Sequence, residues 1–320
     1  MILGLAAILT QLMHLALVLA LAPVLVGLVR LVKARLMGRR GPALLQPWRD
    51  LAKLLRKRPV LAEGATEISR AGPYVACAAT LFAAVLVPGF AQGMLLAPLA
   101  DLLLLAGLLA LARVALALAG MDVGTAFGGM GAARELSFSA FAEPVLLLCI
   151  LVLAMIGGTT NLDAMILAFR EGGVGLRVSL ALIAVALLAV GLVENARMPA
   201  DNPATHLELT MVHEAMILEA SGRHLAVWEL QAALKLLVWM GLLSAIFIPW
   251  GIAPAGAGPL AWLLGLVVWL GKITALAVAL AVFESAIAKM RVFRIPEFLG
   301  VALLLAALAV ALLFVSTGLA

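Results

Sequence analysis

Cysteine is rare in this sequence, with only Cys77 and Cys149 among 320 residues. Both lie in apolar segments, and no C-x-x-C pair is present. An iron–sulfur cluster or a nickel–iron centre usually needs four thiolate ligands. The sequence therefore excludes such a centre built from this chain alone. If the protein takes part in redox chemistry, the metal must belong to partner subunits.

Charge is also scarce, since 12% of the residues are charged, 65% are hydrophobic and the mean hydropathy is +1.19. This composition excludes a water-soluble globular protein. Apolar runs of about 20 residues recur, which is the length that an α-helix needs to cross a hydrocarbon core of roughly 30 Å. The sequence predicts an all-α polytopic membrane protein that forms a single membrane domain over residues 1–320.

Eight transmembrane spans are predicted, over residues 3–31, 73–91, 95–118, 137–157, 176–194, 226–249, 260–288 and 297–317. The first apolar segment has neither a preceding basic region nor a small-residue cleavage site, which favours a retained span over a signal peptide. Basic residues concentrate in alternate loops, and the loop after the first span is the most basic. By the positive-inside rule that loop faces the cytoplasm and both termini face outward.

The first cytoplasmic loop contains a predicted amphipathic surface helix within residues 37–60. Gly41 and Pro42 break the preceding helix, and Pro47 is suited to the first turn of a new one. Apolar and basic side chains then fall on opposite faces; they are Trp48, Leu51, Leu54 and Leu55 against Arg49, Lys53, Arg56 and Lys57. Such a helix lies at the membrane surface, either as a lipid-facing anchor or as a docking surface for a soluble partner.

The second cytoplasmic segment, residues 120–144, has a glycine-rich start without the spacing of a nucleotide-binding loop. Glu143 lies one to two turns inside the fourth span, immediately before Pro144. A carboxylate at that depth must be paired, hydrated or neutral. Pro144 lacks a backbone donor, which loosens the helix and could admit water.

The third segment, ENARMPADNPATHLELTMVHEAMILEASG (residues 194–222), concentrates acidic residues beside the membrane. Pro199 and Pro203 prevent a continuous helix between them. The carboxylates are Glu194, Asp201, Glu208, Glu214 and Glu219. A metal site formed by His206, Glu208, His213 and Glu214 is disfavoured because no known ligand spacing is present. A solvated loop is the simpler alternative.

Four further ionisable residues fall inside or at the ends of the predicted spans: Asp101, Lys235, Lys272 and Glu284. Charges within a bilayer are rare unless they pair or line a hydrated path. Lys235 and Lys272 could mark such a path, or they could reach the interface or pair structurally with carboxylates. No internal repeat points to a stand-alone transporter built from inverted halves.

Four stretches together resemble one protein family: GRRGPALLQPWRDLAKLL, AFGGMGAARELSFSAFAEP, ENARMPADNPATHLELTMVHEAM and AKMRVFRIPEFLG. They are similar to the membrane subunit of formate hydrogenlyase and related group 4 membrane-bound nickel–iron hydrogenases. That family is in turn similar to the membrane subunit that lines the quinone chamber of respiratory complex I. The resemblance covers nearly the whole chain.

The resemblance implies a subunit that anchors a peripheral arm and begins a proton path. Together with the charges inside the spans and the basic loops, it predicts the following path residues: Glu143, Glu194, Asp201, Glu208, Glu214, Glu219, Lys235 and Lys272. The predicted docking residues are Arg39, Arg40, Arg49, Lys53, Arg134 and Arg197. The expected partners are hydrogenase large and small subunits, an iron–sulfur protein and antiporter-like membrane subunits. The chain itself is expected to hold no cofactor, with iron–sulfur clusters and a nickel–iron centre in its partners.

The chain departs from complex I relatives at Ala204, His206 and Ala220, where those relatives carry an acid, often a carboxylate, and a tyrosine. These differences favour the hydrogenase branch and put quinone binding in doubt. The sequence therefore predicts a non-catalytic subunit that couples electron transfer in a partner arm to ion translocation. The alternatives are the equivalent subunit of an NADH:quinone oxidoreductase and a stand-alone transporter. The expected location is a bacterial or archaeal cytoplasmic membrane.

Overall fold

A computed structural model describes residues 2–171, 178–201, 211–288 and 290–318. The helices are α1 (Ile2–Leu36), α2 (Gln46–Leu55), α3 (Glu67–Leu86), α4 (Leu102–Asp122), α5 (Ala126–Gly157), α6 (Leu162–Glu171), α7 (Val178–Glu194), α8 (His213–Ile217), α9 (Gly222–Phe247), α10 (Pro259–Ala286) and α11 (Ile295–Gly318). Pro203, Ala204, His206 and Glu208 lie outside the described residues.

The described helices include seven that are long and apolar enough to cross a membrane, and α7 is a shorter apolar helix. A described helix overlaps each of the eight predicted spans. These helices confirm the prediction of an all-α polytopic membrane protein, and the chain is a multi-pass membrane protein. Its organisation as one membrane domain stays a prediction.

Helix α9 lies at the centre of the bundle. In its most apolar 18-residue window 78% of the residues are buried, against 22–50% in the other long helices. It packs against α1, α3, α7 and α10, while α11 packs against α5 and α7 on another side. A side chain on α9 therefore meets protein rather than lipid, which sets the environment of Lys235.

The amphipathic helix α2 packs against both α1 and α9. It begins at Gln46 with Pro47 in its first turn, and Leu51 is buried while its basic residues are exposed. Pro23 lies inside α1 and removes one backbone donor from that turn. The Trp48 indole Nε1 donates to the nearby Ala20 carbonyl at 3.0 Å. The predicted surface helix is present, and it is fixed to the first span.

Gly27 permits the close approach of the segment that precedes α2. A Cβ atom at position 27 would lie 2.1 Å from the Leu44 carbonyl oxygen. Gly27→Ala should therefore lower the melting temperature of the purified chain. Gly107→Ala is the matched control, because nothing lies within 4 Å of its added Cβ and alanine is favoured over glycine in a helix by about 1 kcal/mol. Equal melting temperatures for the two variants would contradict this packing.

Helix α4 begins at Leu102, later than the predicted span start at residue 95. Asp101 is its N-cap, since its carboxylate accepts from the Leu103 amide at 2.7 Å and from the Thr160 hydroxyl. The preceding residues form a short 3₁₀ turn at Ala97–Leu99 that includes a proline. Apolar composition alone extended the predicted span across this turn. The Asp101 charge thus has a local role as a helix cap.

Candidate functional site

Arg113 is the central residue of a buried ion-pair network. Its side chain on α4 is 5% exposed. Its Nη2 lies 2.6 Å from Glu143 Oε1 on α5, and its Nη1 contacts Glu194 Oε1 at the end of α7. A guanidinium can hold two carboxylates because its donors form a rigid planar fork. Two predicted path residues are therefore brought together by one that the sequence analysis missed.

Lys235 on α9 extends this network. Its Nζ lies 3.2 Å from Glu194 Oε2. The four side chains form a row of alternating charges, which we call the charge chain: Glu143, Arg113, Glu194 and Lys235. Removing one buried member leaves its partner charged in a medium of low dielectric constant, so the members depend on one another.

The charge chain connects two different environments. At one end Glu194 and Lys235 line a cavity of about 510 Å³, together with Asp201, His213 and Glu214. At the other end the Glu143 side chain is 49% exposed on the surface of α5. The row of charges thus runs from a polar cavity to the surface of a membrane helix.

Glu135 is a second carboxylate that the sequence analysis missed, although it lies in the quoted α5 motif. It is within electrostatic range of Lys235, Glu194, Arg113 and Asp201. It is eight residues before Glu143 on the same helix, which is about 12 Å along the axis. Glu135 therefore adds an acidic group beside the cavity end of the charge chain.

Asp201 and His213 both line the cavity. The Asp201 carboxylate is buried and accepts from the Val212 amide at 3.3 Å. Burial, the largest cause, and the Lys235 charge together lower the pKa of His213 to about 4, while Asp201 opposes them. The imidazole is consequently neutral at pH 7 and can accept or donate a hydrogen bond.

The low pKa of His213 predicts an acid-sensitive fold. Between its ordinary value of 6.5 and about 4, the unfolded chain binds a proton that folded His213 does not. Stability should therefore be complete above pH 6.5 and fall as the pH drops through this window. His213→Gln should make the melting temperature less dependent on pH between 6.5 and 4. Parallel pH profiles for the variant and the wild type would contradict this role of His213.

A second buried ion-pair cluster joins α1, α10 and the segment after α7. The Glu284 carboxylate is fully buried, 2.8 Å from Lys33 Nζ and 3.5 Å from Arg197 Nη1. Burial lowers the pKa of Arg197, and Glu284 opposes this effect. Arg197 was expected to face a docking partner. Its side chain is 12% exposed, lies 3.5 Å from Glu284 and also lines the cavity of about 510 Å³.

The remaining predicted residues lie apart from the charge chain. Lys272 Nζ donates to the Ile248 carbonyl at 2.6 Å and to that of Trp250, so it caps the end of α9. This point is 13 residues beyond Lys235, or about 20 Å along a helix. Glu219 is exposed between α8 and α9. Arg134 donates to the Met211 carbonyl at 3.0 Å.

The expected docking surface is exposed at Arg39, Arg40, Arg49 and Lys53. Among the residues that the structure describes, no group of three or more His, Cys, Asp or Glu side chains could hold a metal ion.

Residues 8–315 match the NADH dehydrogenase family, so the chain belongs to that family. Formate hydrogenlyase subunit 4 of Escherichia coli K12 is 34% identical over 273 residues, which cover 85% of this chain and 87% of that protein. Hydrogenase-4 component C of the same organism is 35% identical over 295 residues, 91% of each chain. The predicted resemblance to the formate hydrogenlyase type is confirmed.

Two more distant relatives extend the comparison. One subunit of the NADH-quinone oxidoreductase of Verminephrobacter eiseniae is 27% identical over 260 residues, covering 78% of this chain and 71% of that protein. A chain of the membrane-bound sulfane sulfur reductase, an archaeal respiratory membrane complex, superposes with a TM-score of 0.79. It is 24% identical and the match covers 94% of this chain and 98% of that one. The fold is therefore one that respiratory membrane complexes use.

Proposed function

We propose that this chain is the anchoring and proton-path subunit of a multisubunit hydrogenase complex of the formate hydrogenlyase type. The relatives that match at 34–35% identity are named as components of formate hydrogenlyase and hydrogenase-4. Iron–sulfur clusters and a nickel–iron centre would reside in water-soluble partner subunits. The complex would lie in a bacterial or archaeal cytoplasmic membrane, with both termini of this chain outside.

The charge chain is the observation that carries this proposal. Glu194 contacts both Arg113 and Lys235, so displacing either cation changes the proton affinity of this carboxylate. Arg113 also contacts Glu143, so displacing Arg113 also changes the electrostatic environment of Glu143 at the α5 surface. Carboxylates that are coupled through a shared cation bind and release protons as a set rather than independently. A charge shift at the cavity can thus be passed to the membrane-facing end.

The partner arm would act on the cavity end through the segment that holds Asp201. Electron transfer in that arm would shift charge or conformation near Asp201, His213 and Glu214, which share the cavity with Glu194 and Lys235. Antiporter-like membrane subunits would receive the change at Glu143. Glu208 stays a predicted member of this path.

The proposed path differs from the predicted one in three residues. Arg113 joins it because it contacts both Glu143 and Glu194. Lys272 caps α9 and Glu219 is exposed away from the network. We therefore place both outside the path.

A second candidate function is the equivalent subunit of an NADH:quinone oxidoreductase. The cavity of about 510 Å³ and the 27% identical relative from an NADH-quinone oxidoreductase favour it. The hydrogenase function is better supported because its relatives are closer in identity and match more of both proteins.

Purification of the complex through a tag on this chain separates the two functions. The hydrogenase proposal requires that nickel and iron co-purify and that the complex evolves or oxidises hydrogen. It also requires proton uptake or release across proteoliposome membranes during turnover. A complex that contains flavin and iron, lacks nickel and reduces quinone would instead establish the second function.

A further inference from the structure

The turn between α10 and α11 carries the most exposed large apolar side chain among the described residues. Phe293 is 91% exposed, and it stands between the exposed Arg291 and Arg294. Within the described ranges neither guanidinium forms an ion pair. An exposed aromatic side chain between two available arginines has the composition of the centre of a protein–protein interface.

The turn crosses the end of the bundle instead of following its lipid-facing edge. Helix α10 packs against α1 and α9, whereas α11 packs against α5 and α7. Within the connection the Met290 amide donates to the Pro199 carbonyl at 2.9 Å. The turn therefore passes over the segment that contains Asp201. The positive-inside rule predicts that this turn, which carries Arg291 and Arg294, is a cytoplasmic loop, so we expect a side chain that points away from the protein here to face water.

The same end of the bundle is strongly basic. The ion pair between Lys33 and Glu284 places the end of α1 beside the end of α10. The loop after α1 presents the exposed Arg39, Arg40, Arg49 and Lys53. A protein that docks at this end must therefore present acidic groups to it.

We propose that Phe293 is the apolar anchor for an acidic, water-soluble partner subunit. Its ring would fill an apolar pocket in that subunit, and carboxylates at the rim of the pocket would pair with Arg291 and Arg294. Because Met290 is bonded to Pro199, a partner seated on Phe293 lies over the Asp201 segment. This inference rests on the proposed function as an anchoring subunit and names the contact through which the arm would act.

Co-purification of soluble subunits tests the anchor directly. The tagged chain is expressed with the other subunits of its complex, and the iron-containing water-soluble subunits recovered in detergent are quantified. Phe293→Glu should reduce their recovery at least about ten-fold, the effect expected of an interface hot spot, while Phe293→Leu should retain most of it. Trp250→Ala is the matched control, since Trp250 is also an exposed aromatic residue, at 67%. Trp250 precedes α10 and Phe293 follows it, so the two residues lie at opposite ends of that helix. This control should not change recovery.

Wild-type recovery from Phe293→Glu would overturn the anchor while leaving the proposed function intact. A wild-type chain that recovers no soluble subunit would overturn both. Melting temperatures of the variants verify their folding, and a variant that fails to fold is replaced by Arg291→Glu/Arg294→Glu, for which the same loss is expected.

A thiol-protection assay distinguishes a protein partner from a lipid surface. Phe293→Cys is made in a background with Cys77→Ser and Cys149→Ser, and a water-soluble maleimide is applied to membranes. The thiol should react when the soluble subunits are absent and be protected when they are assembled. Protection in membranes without the soluble subunits would show that lipid covers position 293 and would overturn the proposal.

Discussion

Arg113→Gln should abolish proton translocation by the assembled complex and destabilise this chain by about 3–5 kcal/mol, the usual effect of breaking a buried ion pair. The variant removes the only contact that joins Glu143 to Glu194 among the described residues. The Glu194 carboxylate is 8% exposed, and in this variant Lys235 is the one cation left beside it among the described residues. Translocation is measured with a pH-sensitive dye in proteoliposomes, and stability by thermal unfolding in detergent.

Two further variants show whether charge or shape makes Arg113 necessary. Arg113→Gln/Glu194→Gln should recover part of the lost stability, because the uncompensated carboxylate is removed together with the cation. Arg113→Lys keeps the charge but not the planar fork. It should preserve more stability than glutamine and still impair coupling, since one ammonium does not reproduce both guanidinium contacts. Full coupling in Arg113→Gln would contradict the charge chain as the proton route.

Glu194→Gln should uncouple proton movement from turnover, or stall turnover, without dismantling the complex. The substitution keeps the size of the side chain and its capacity for hydrogen bonds but removes the carboxylate between Arg113 and Lys235. Two quantities are measured. The first is the number of protons moved per hydrogen molecule turned over, which reports coupling. The second is the quantity of co-purified subunits, which reports assembly. We expect the ratio of protons to hydrogen molecules to fall at least about ten-fold, because each rise of roughly 1.4 kcal/mol in the barrier slows proton transfer through the path ten-fold while hydrogen turnover that continues is no longer coupled to it.

Glu219→Gln is the control for this variant because Glu219 is an exposed carboxylate of the same segment. It should leave both the ratio and the assembly unchanged. Wild-type proton pumping and hydrogen turnover in Glu194→Gln would refute the assignment of Glu194 to the path. A complex that falls apart would assign this residue to assembly instead.

Much of the fold follows from composition and short-range patterns. Apolar runs identified the membrane helices, and Pro47 with its flanking amphipathic pattern identified α2. The start of α4 was misplaced because residues 95–100 are apolar and yet include a 3₁₀ turn. Only the hydrogen bonds that Asp101 accepts distinguish this turn from the helix that follows.

The ion pairs could be predicted only in part. Glu143 and Glu194 were identified by their unusual positions, but Arg113 is the single basic residue of a 21-residue apolar helix and hardly alters its hydropathy. The rule that charges inside membrane spans are functional would have identified it. Its partners follow from the rotation of α4, α5 and α7 about their axes. Apolar residues surround such helices on all sides, so no amphipathic face reveals this rotation.

The half-exposed carboxylate of Glu143 also bears on how the cell handles this protein before assembly. It lies well inside α5 and is paired on one side by Arg113, while its other side is open. A newly inserted chain would therefore hold a charged group against acyl chains until another membrane subunit covers it. Orphaned copies would be recognisable to membrane proteases by this carboxylate. The steady-state amount of the chain should accordingly follow that of its membrane partner.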